Sequence, residues 1–228
     1  MLTNNIQLMT AEIDAHRAAD LLVQGNYFDA DTGRGCFIGC LAHSSSTAAI
    51  ADRFGLPEPL TRLLESIFER LPFDEAADFF TDIPRAIGRD GKDLTRVQWA
   101  FLGDMLRHLP DTDARDVVAD VTAGMDLLAA GKDWPEAAEA KAKAAKAAKA
   151  AKAAYWAAEA AEAGAKSARA AQAAYWAESV VAWVAAEVVR AARAVAWAVV
   201  AESSTPAEAG AEEARRQRDV ILRLIREA

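Results

Sequence analysis

A chain of 228 residues with a net charge of -8 has room for one large domain or two small ones, and its acidic balance argues against a general nucleic-acid binder, whose footprint would be basic. Its two cysteines, Cys36 and Cys40, are too few for a secreted disulfide framework, and an i,i+4 pair on one helix matches disulfide geometry poorly, so both read as reduced thiols in the cytoplasm. The opening residues lack the basic start and apolar core of a signal peptide, and the most apolar window, Val180 to Ala201, carries Glu187, Arg190 and Arg193, which argues against a membrane span.

In chain order, the N-terminal part reads as a series of short helices. Thr10 is placed to cap a helix running to Gln24, with Gly25 as its stop. Asn26 to Gly35 is a loop rich in Gly, Asp and Asn. A short helix starts near Cys36 and fades in Ser44-Ser45-Ser46; another covers Thr47 to Phe54 and ends at Gly55. Pro57 and Pro59 suit the first turn of the next, which runs to about Leu71 with Leu60, Leu63, Leu64, Ile67 and Phe68 at helical spacing. Further helices fit Asp74 to Asp82, Leu94 to Leu109 behind Asp93, and Thr112 to Ala130 behind Asp111. No alternating run of useful length predicts a strand.

Gly131 and Pro135 mark a shift in composition. About half of the residues from Pro135 to Ala201 are alanine, the best helix former, which loses no side-chain entropy. Asp133 and Glu136 read as a capping box opening a first Ala-rich helix. Gly164 interrupts it, and Ser167 is available to cap a second that runs to about Glu202. The sequence Ala-Ala-Tyr-Trp-Ala occurs at Ala153 to Ala157 and again at Ala173 to Ala177. On one continuous helix the copies would face opposite sides, rotated by about 200°. A turn between Gly164 and Ser167 instead sets Tyr155 level with Trp176, and Trp156 with Tyr175. Thr205-Pro206-Ala207-Glu208 opens a last helix with Val220, Ile221, Leu224 and Ile225 as its apolar stripe. The expected fold is all-α: a multi-helix bundle with a long Ala-rich antiparallel helical hairpin and a C-terminal helix, divided into residues 1–131 and 132–228.

Gly35-Cys36-Phe37-Ile38-Gly39-Cys40, then Phe54-Gly55-Leu56-Pro57, then Ile67-Phe68-Glu69-Arg70-Leu71-Pro72, followed by the Ala/Trp-rich tail, resembles a group of uncharacterised proteins whose genes occur in phages and bacterial genomes. The tail also resembles the Ala-rich helices of polymorphic-toxin immunity proteins. These resemblances bring no catalytic residues. They imply a setting of conflict between phage and host or between bacteria, and a protein that acts by binding.

Four features carry chemistry. Cys36, Cys40 and His43 are spaced to share one helical face, yet a structural zinc site needs four ligands and no second Cys or His pair lies near. No metal or cofactor is therefore expected. Cys36 is a candidate nucleophile with His43 as its base; the competing reading makes both cysteines small buried hydrophobes, with the glycines admitting another helix. Residues 47–64 follow a helix-turn-helix core pattern, but the second helix opens on Pro57, Glu58 and Pro59, with Glu65 and Glu69 further on, where a DNA reader would offer Arg, Lys, Asn or Gln. Lys141, Lys143, Lys146, Lys149 and Lys152 read as a solvated face, or as a patch for an acidic partner.

The second long helix offers the most pointed pattern. Trp176, Trp183, Glu187, Arg190 and Trp197 fall on one heptad-spaced stripe, and valines fill another. This is a buried helix with an internal Glu187–Arg190 pair, or a pocket with tryptophan walls in which Arg190 fixes a phosphate. With Tyr155, Trp156 and Tyr175, these residues are the candidate ligand- or partner-binding set. The reading that follows is a cytoplasmic, non-enzymatic inhibitor or immunity-type factor with a protein partner. Its alternatives are a protein that sequesters a small nucleotide-like ligand and a Cys36-dependent enzyme; self-association stays open.

Overall fold

A computed structural model describes residues 1–25, 27–109, 115–140, 142–144, 146 and 205–228. Among the described residues every regular element is a helix, and extended segments meet only at isolated bridges, Leu2 with Asp93, Leu22 with Gly35 and Phe28 with Gly35. The protein is all-α, a multi-helix bundle with a C-terminal helix. It divides into two compact units, Met1–Gln98 with Ala214–Ala228, and Trp99–Glu213. The composition shift near Gly131 thus falls inside the second unit. The Ala-rich hairpin and its turn between Gly164 and Ser167 lie outside the described residues.

The first unit begins with α1 (Ile6–Ala18), which starts ahead of Thr10. Its cap comes from a distant part of the chain: the Ile6 N–H donates to the Asp90 carboxylate at 2.9 Å. Thr10 sits within the helix and its hydroxyl donates to the Ile6 carbonyl. The helix stops at Ala18 instead of Gln24 because Asp20 adopts a left-handed conformation and the Leu21 N–H closes back on the His16 carbonyl. Gln24 then performs another task. Its amide donates to the carbonyls of Phe68 (2.7 Å) and Leu71 (2.9 Å), at the end of a different helix.

Three helices follow: α2 (Phe37–Ala42), α3 (Thr47–Phe54) and α4 (Glu58–Phe68). The Ser46 hydroxyl caps α3 by accepting from the Ala49 N–H. The stripe Leu60, Leu63, Leu64, Ile67 and Phe68 is fully buried, as its spacing predicts. Next, α5 (Phe73–Ile87) runs past Asp82 and through Pro84 to end at Gly88. Proline costs one backbone N–H bond, and the helix's packing on α1 and α4 carries it through. Phe37, Phe68 and Phe80 meet edge-on at the centre, with ring centroids 5.4 and 6.3 Å apart.

The helix α6 (Val97–Arg107) begins later than Leu94 because Asp93 spends its carboxylate on a turn, accepting from the Thr95 N–H (3.0 Å) and hydroxyl (2.6 Å). In the second unit α7 (Arg115–Ala129) is followed by residues 137–140, helical again. The C-terminal helix α8 (Pro206–Glu227) starts at Pro206, where the capping box places it. Within the first unit, Arg215 grips Glu75 through two nitrogens in three contacts at 2.7–2.9 Å and Arg218 adds a fourth at 3.1 Å. The Lys92 ammonium donates to the last carbonyls, of Ile225 and Arg226. Among the described residues no helix is long and apolar enough to cross a membrane.

Candidate functional site

The Gly35–Cys40 segment builds the most chemically loaded place among the described residues. Cys36 is the N-cap of α2 and Cys40 lies one turn on; both thiols are free and buried. The two glycines have a steric cause. The Tyr27 carbonyl rests on the start of α2 and accepts from the Cys36 N–H at 3.2 Å. A Cβ on Gly39 would lie 1.4 Å from that oxygen, and one on Gly35 2.5 Å from it. Only bare backbone lets the loop cross here. The Gly35 carbonyl, on the same turn, accepts from the Cys40 thiol at 3.2 Å.

Helix α4 supplies the acids. Glu65, 9% exposed, accepts from the Ile38 N–H at 3.1 Å, while the Cys36 thiol beside it donates to the Tyr27 carbonyl at 3.7 Å. Glu69, one helical turn on, accepts from the Gly25 N–H at 2.8 Å. The Cys36 sulfur and one oxygen of each carboxyl lie within 4.8 Å of one another. Burial, together with the facing Glu69, pushes the Glu65 carboxyl up to about 7. Burial first, and then the Glu65 charge, push the Cys36 thiol far above its ordinary value. Burial likewise pushes Cys40 up to about 12. At neutral pH both thiols keep their protons, the reverse of an activated cysteine. These donor types are ones a cation uses, and each carboxyl also accepts a backbone amide, Glu65 that of Ile38 and Glu69 that of Gly25.

Cys36 and His43 take opposite ends of α2, about 10 Å apart along its axis. His43 is the C-cap in a left-handed conformation (φ 51°), so its side chain leaves the stripe it was expected to share with Cys36 and Cys40. Its ring stacks on Phe28 at 5.7 Å and tilts against His16 at 5.5 Å. The acid–base group beside the thiol is Glu65, which sequence reasoning treated only as an acidic residue unsuited to DNA. The available signal was its register: Glu65 lies four residues after Thr61 and three before Phe68, on the buried side of α4.

A second feature lies in the second unit. Trp134 packs flat on Gly124, where a Cβ would lie 2.2 Å from the indole. Beside it opens a cleft of about 250 Å³ lined by Asp120, Leu127, Trp134, Glu136, Glu139 and Lys143. From the lysine run, Lys143 pairs with Glu139 (3.1 Å) and Asp120 (3.6 Å), and Lys146 is exposed. Lys141, Lys149 and Lys152 lie outside the described residues, as do Tyr155, Trp156, Tyr175, Trp176, Trp183, Glu187, Arg190 and Trp197. No protein-family model, curated protein or solved structure matches this chain.

Proposed function

We propose that this chain is a cytoplasmic, non-enzymatic binding protein that acts on a protein partner as an inhibitor or immunity-type factor. The observation that carries this reading is the state of Cys36. The nucleophile that the sequence offers is 1% exposed, faces the buried Glu65 carboxyl instead of His43, and holds its proton well beyond neutral pH. A thiol so placed fits a packing role. The described surface also offers a suitable anchor in the cleft beside Trp134, since tryptophan is over-represented among residues that dominate interfaces. The resemblance of the Ala-rich tail to immunity proteins points the same way.

The test is affinity purification of the tagged full chain from host bacteria, followed by reconstitution of any complex from purified components. A stoichiometric complex that forms equally well with Cys36→Ser supports the reading. A reaction product formed by the parent and lost in a well-folded Cys36→Ser variant overturns it.

A further inference from the structure

We propose that the cleft beside Trp134 is the receptor for a single arginine side chain of the partner protein. This inference rests on the reading of the chain as a binding protein and names the chemistry that its partner presents. The cleft, of about 250 Å³, is lined by Asp120, Leu127, Trp134, Glu136, Glu139 and Lys143. Sites that enclose drug-sized ligands run to about 300–1,000 Å³, so this one suits one long side chain better than a whole nucleotide.

One wall is aromatic. Trp134 is half-buried, with its indole against Gly124 of α7. Pro135 follows it, and the Ala137 N–H closes a turn on the Trp134 carbonyl at 3.2 Å. Proline at that place sets the backbone of the turn, so Trp134 and Glu136 are carried on one short, stiffened piece of chain. An aromatic face beside a carboxylate is the setting in which arginine exceeds lysine. The guanidinium is planar, so it stacks on a ring while its edge donates to an acid.

The charge of the lining selects the same ligand. Three carboxylates, of Asp120, Glu136 and Glu139, stand there against one ammonium, of Lys143. Lys132 and Lys146, on either side in sequence, are exposed and do not line the cleft. Lys143 reaches Glu139 at 3.1 Å and Asp120 at 3.6 Å, and these contacts, Glu139 first, raise its pKa above the ordinary lysine value. The walls therefore already draw one cation between α7 and the segment that follows Trp134. A partner's guanidinium shares those acids with Lys143 and adds the contact with the indole that Lys143 does not make.

Titration of the full chain with a capped tripeptide, acetyl-Gly-Arg-Gly-amide, tests the receptor. The signal is the Trp134 indole N–H in NMR spectra, assigned through Trp134→Phe. A saturable shift is expected. Replacing the peptide's arginine by citrulline, which keeps the plane and loses the charge, should weaken binding by about fivefold or more. Lysine, which keeps the charge and loses the plane, should weaken it by about twofold or more. The cleft variants should move affinity in opposite directions: Glu136→Gln weakens it by about twofold, and Lys143→Gln, which removes the competing ammonium, tightens it by about the same factor. A variant that merely loses its fold does not bind more tightly. No shift at the Trp134 indole, an equal affinity for the citrulline or lysine peptide, or a Lys143→Gln variant that binds no better overturns the proposal. The peptide stands in for the partner, so the two readings fail separately. A complex recovered from host bacteria without arginine binding keeps the partner reading and ends this one; arginine binding without a recoverable complex supports the cleft's chemistry and counts against the partner reading.

Discussion

The carbonyl oxygen of Tyr27 lies so close to Gly39 that a Cβ there would stand 1.4 Å from it. The obstacle is backbone, and that carbonyl is itself fixed by the Cys36 N–H. Neither side has a flexible end to give way. Gly39→Ala is expected to destabilise the first unit by about 3 kcal/mol or more, beyond ordinary overpacking of a core side chain. Gly35→Ala, with its Cβ 2.5 Å from the same oxygen, should be damaging but less so. Urea unfolding measures both. A Gly39→Ala protein as stable as the parent would show that the loop does not cross α2 in this way.

Glu65 gives the stability an unusual slope with pH. Its carboxyl is pushed from an ordinary 4.5 up to about 7, so between those values the folded chain binds a proton that the unfolded chain has released. Its contribution is fully present below pH 4.5 and is lost as pH rises through about 7. The whole effect is limited to about 3 kcal/mol by the width of that window. Glu65→Gln, which resembles the protonated form, is expected to flatten the slope and to leave the variant more stable than the parent above neutrality. Urea midpoints measured across the window decide it; an unchanged slope in the variant assigns the effect elsewhere.

Glu75 acts in the opposite sense. The bonds from Arg215, then the charges of Arg215 and Arg218, hold its carboxyl below the ordinary range. A lowered carboxyl contributes stability above its unfolded value of about 4.5 and loses it as pH falls through the folded one. The partners are substantially exposed, so Glu75→Gln is expected to cost no more than ~1 kcal/mol, and less at high salt. Its diagnostic effect is local: hydrogen exchange should quicken in the Arg215–Arg218 turn of α8. Unaltered exchange there would mean that α8, with Ile221 and Ile225 on its apolar face, stays docked without the Glu75 contacts.

How much of this was legible follows from where each signal resides. The Leu60–Phe68 stripe is local and periodic, and α4 is where it predicts. The Pro206 start is equally local, because the capping box lies within four adjacent residues. The start of α1 is not legible, since its cap is Asp90, distant in sequence. The extent of α5 was hidden by Pro84, whose cost is outweighed by packing that no window of sequence displays. The glycines beside Cys36 suggested a close approach, and the structure identifies what approaches as the Tyr27 carbonyl, a loop, where the sequence suggested another helix. Glu65 and Glu69 read in the sequence only as acids unsuited to DNA, because their place beside Cys36 depends on how α2 and the Gly25 segment pack against α4.

Gly124 and Trp134 supply the converse of the Gly39 contact. A Cβ at Gly124 would meet the indole at 2.2 Å, but the indole belongs to a partly exposed side chain that can swing outwards. Alanine in the interior of α7 is also favoured over glycine by about 0.5–1 kcal/mol. The two effects oppose each other, so Gly124→Ala is expected to change stability by less than ~1 kcal/mol in either direction while displacing Trp134. A double-mutant cycle separates them. In a Trp134→Ala background the obstacle is gone, and Gly124→Ala should then be stabilising by about 0.5–1 kcal/mol. The displaced indole would alter the wall of the cleft, so a partner that docks there should bind Gly124→Ala more weakly although the fold is intact. A large loss of stability in the single variant, of the size expected for Gly39→Ala, would show that Trp134 is held as rigidly as backbone and that the cleft wall is a packing contact instead of an adjustable surface.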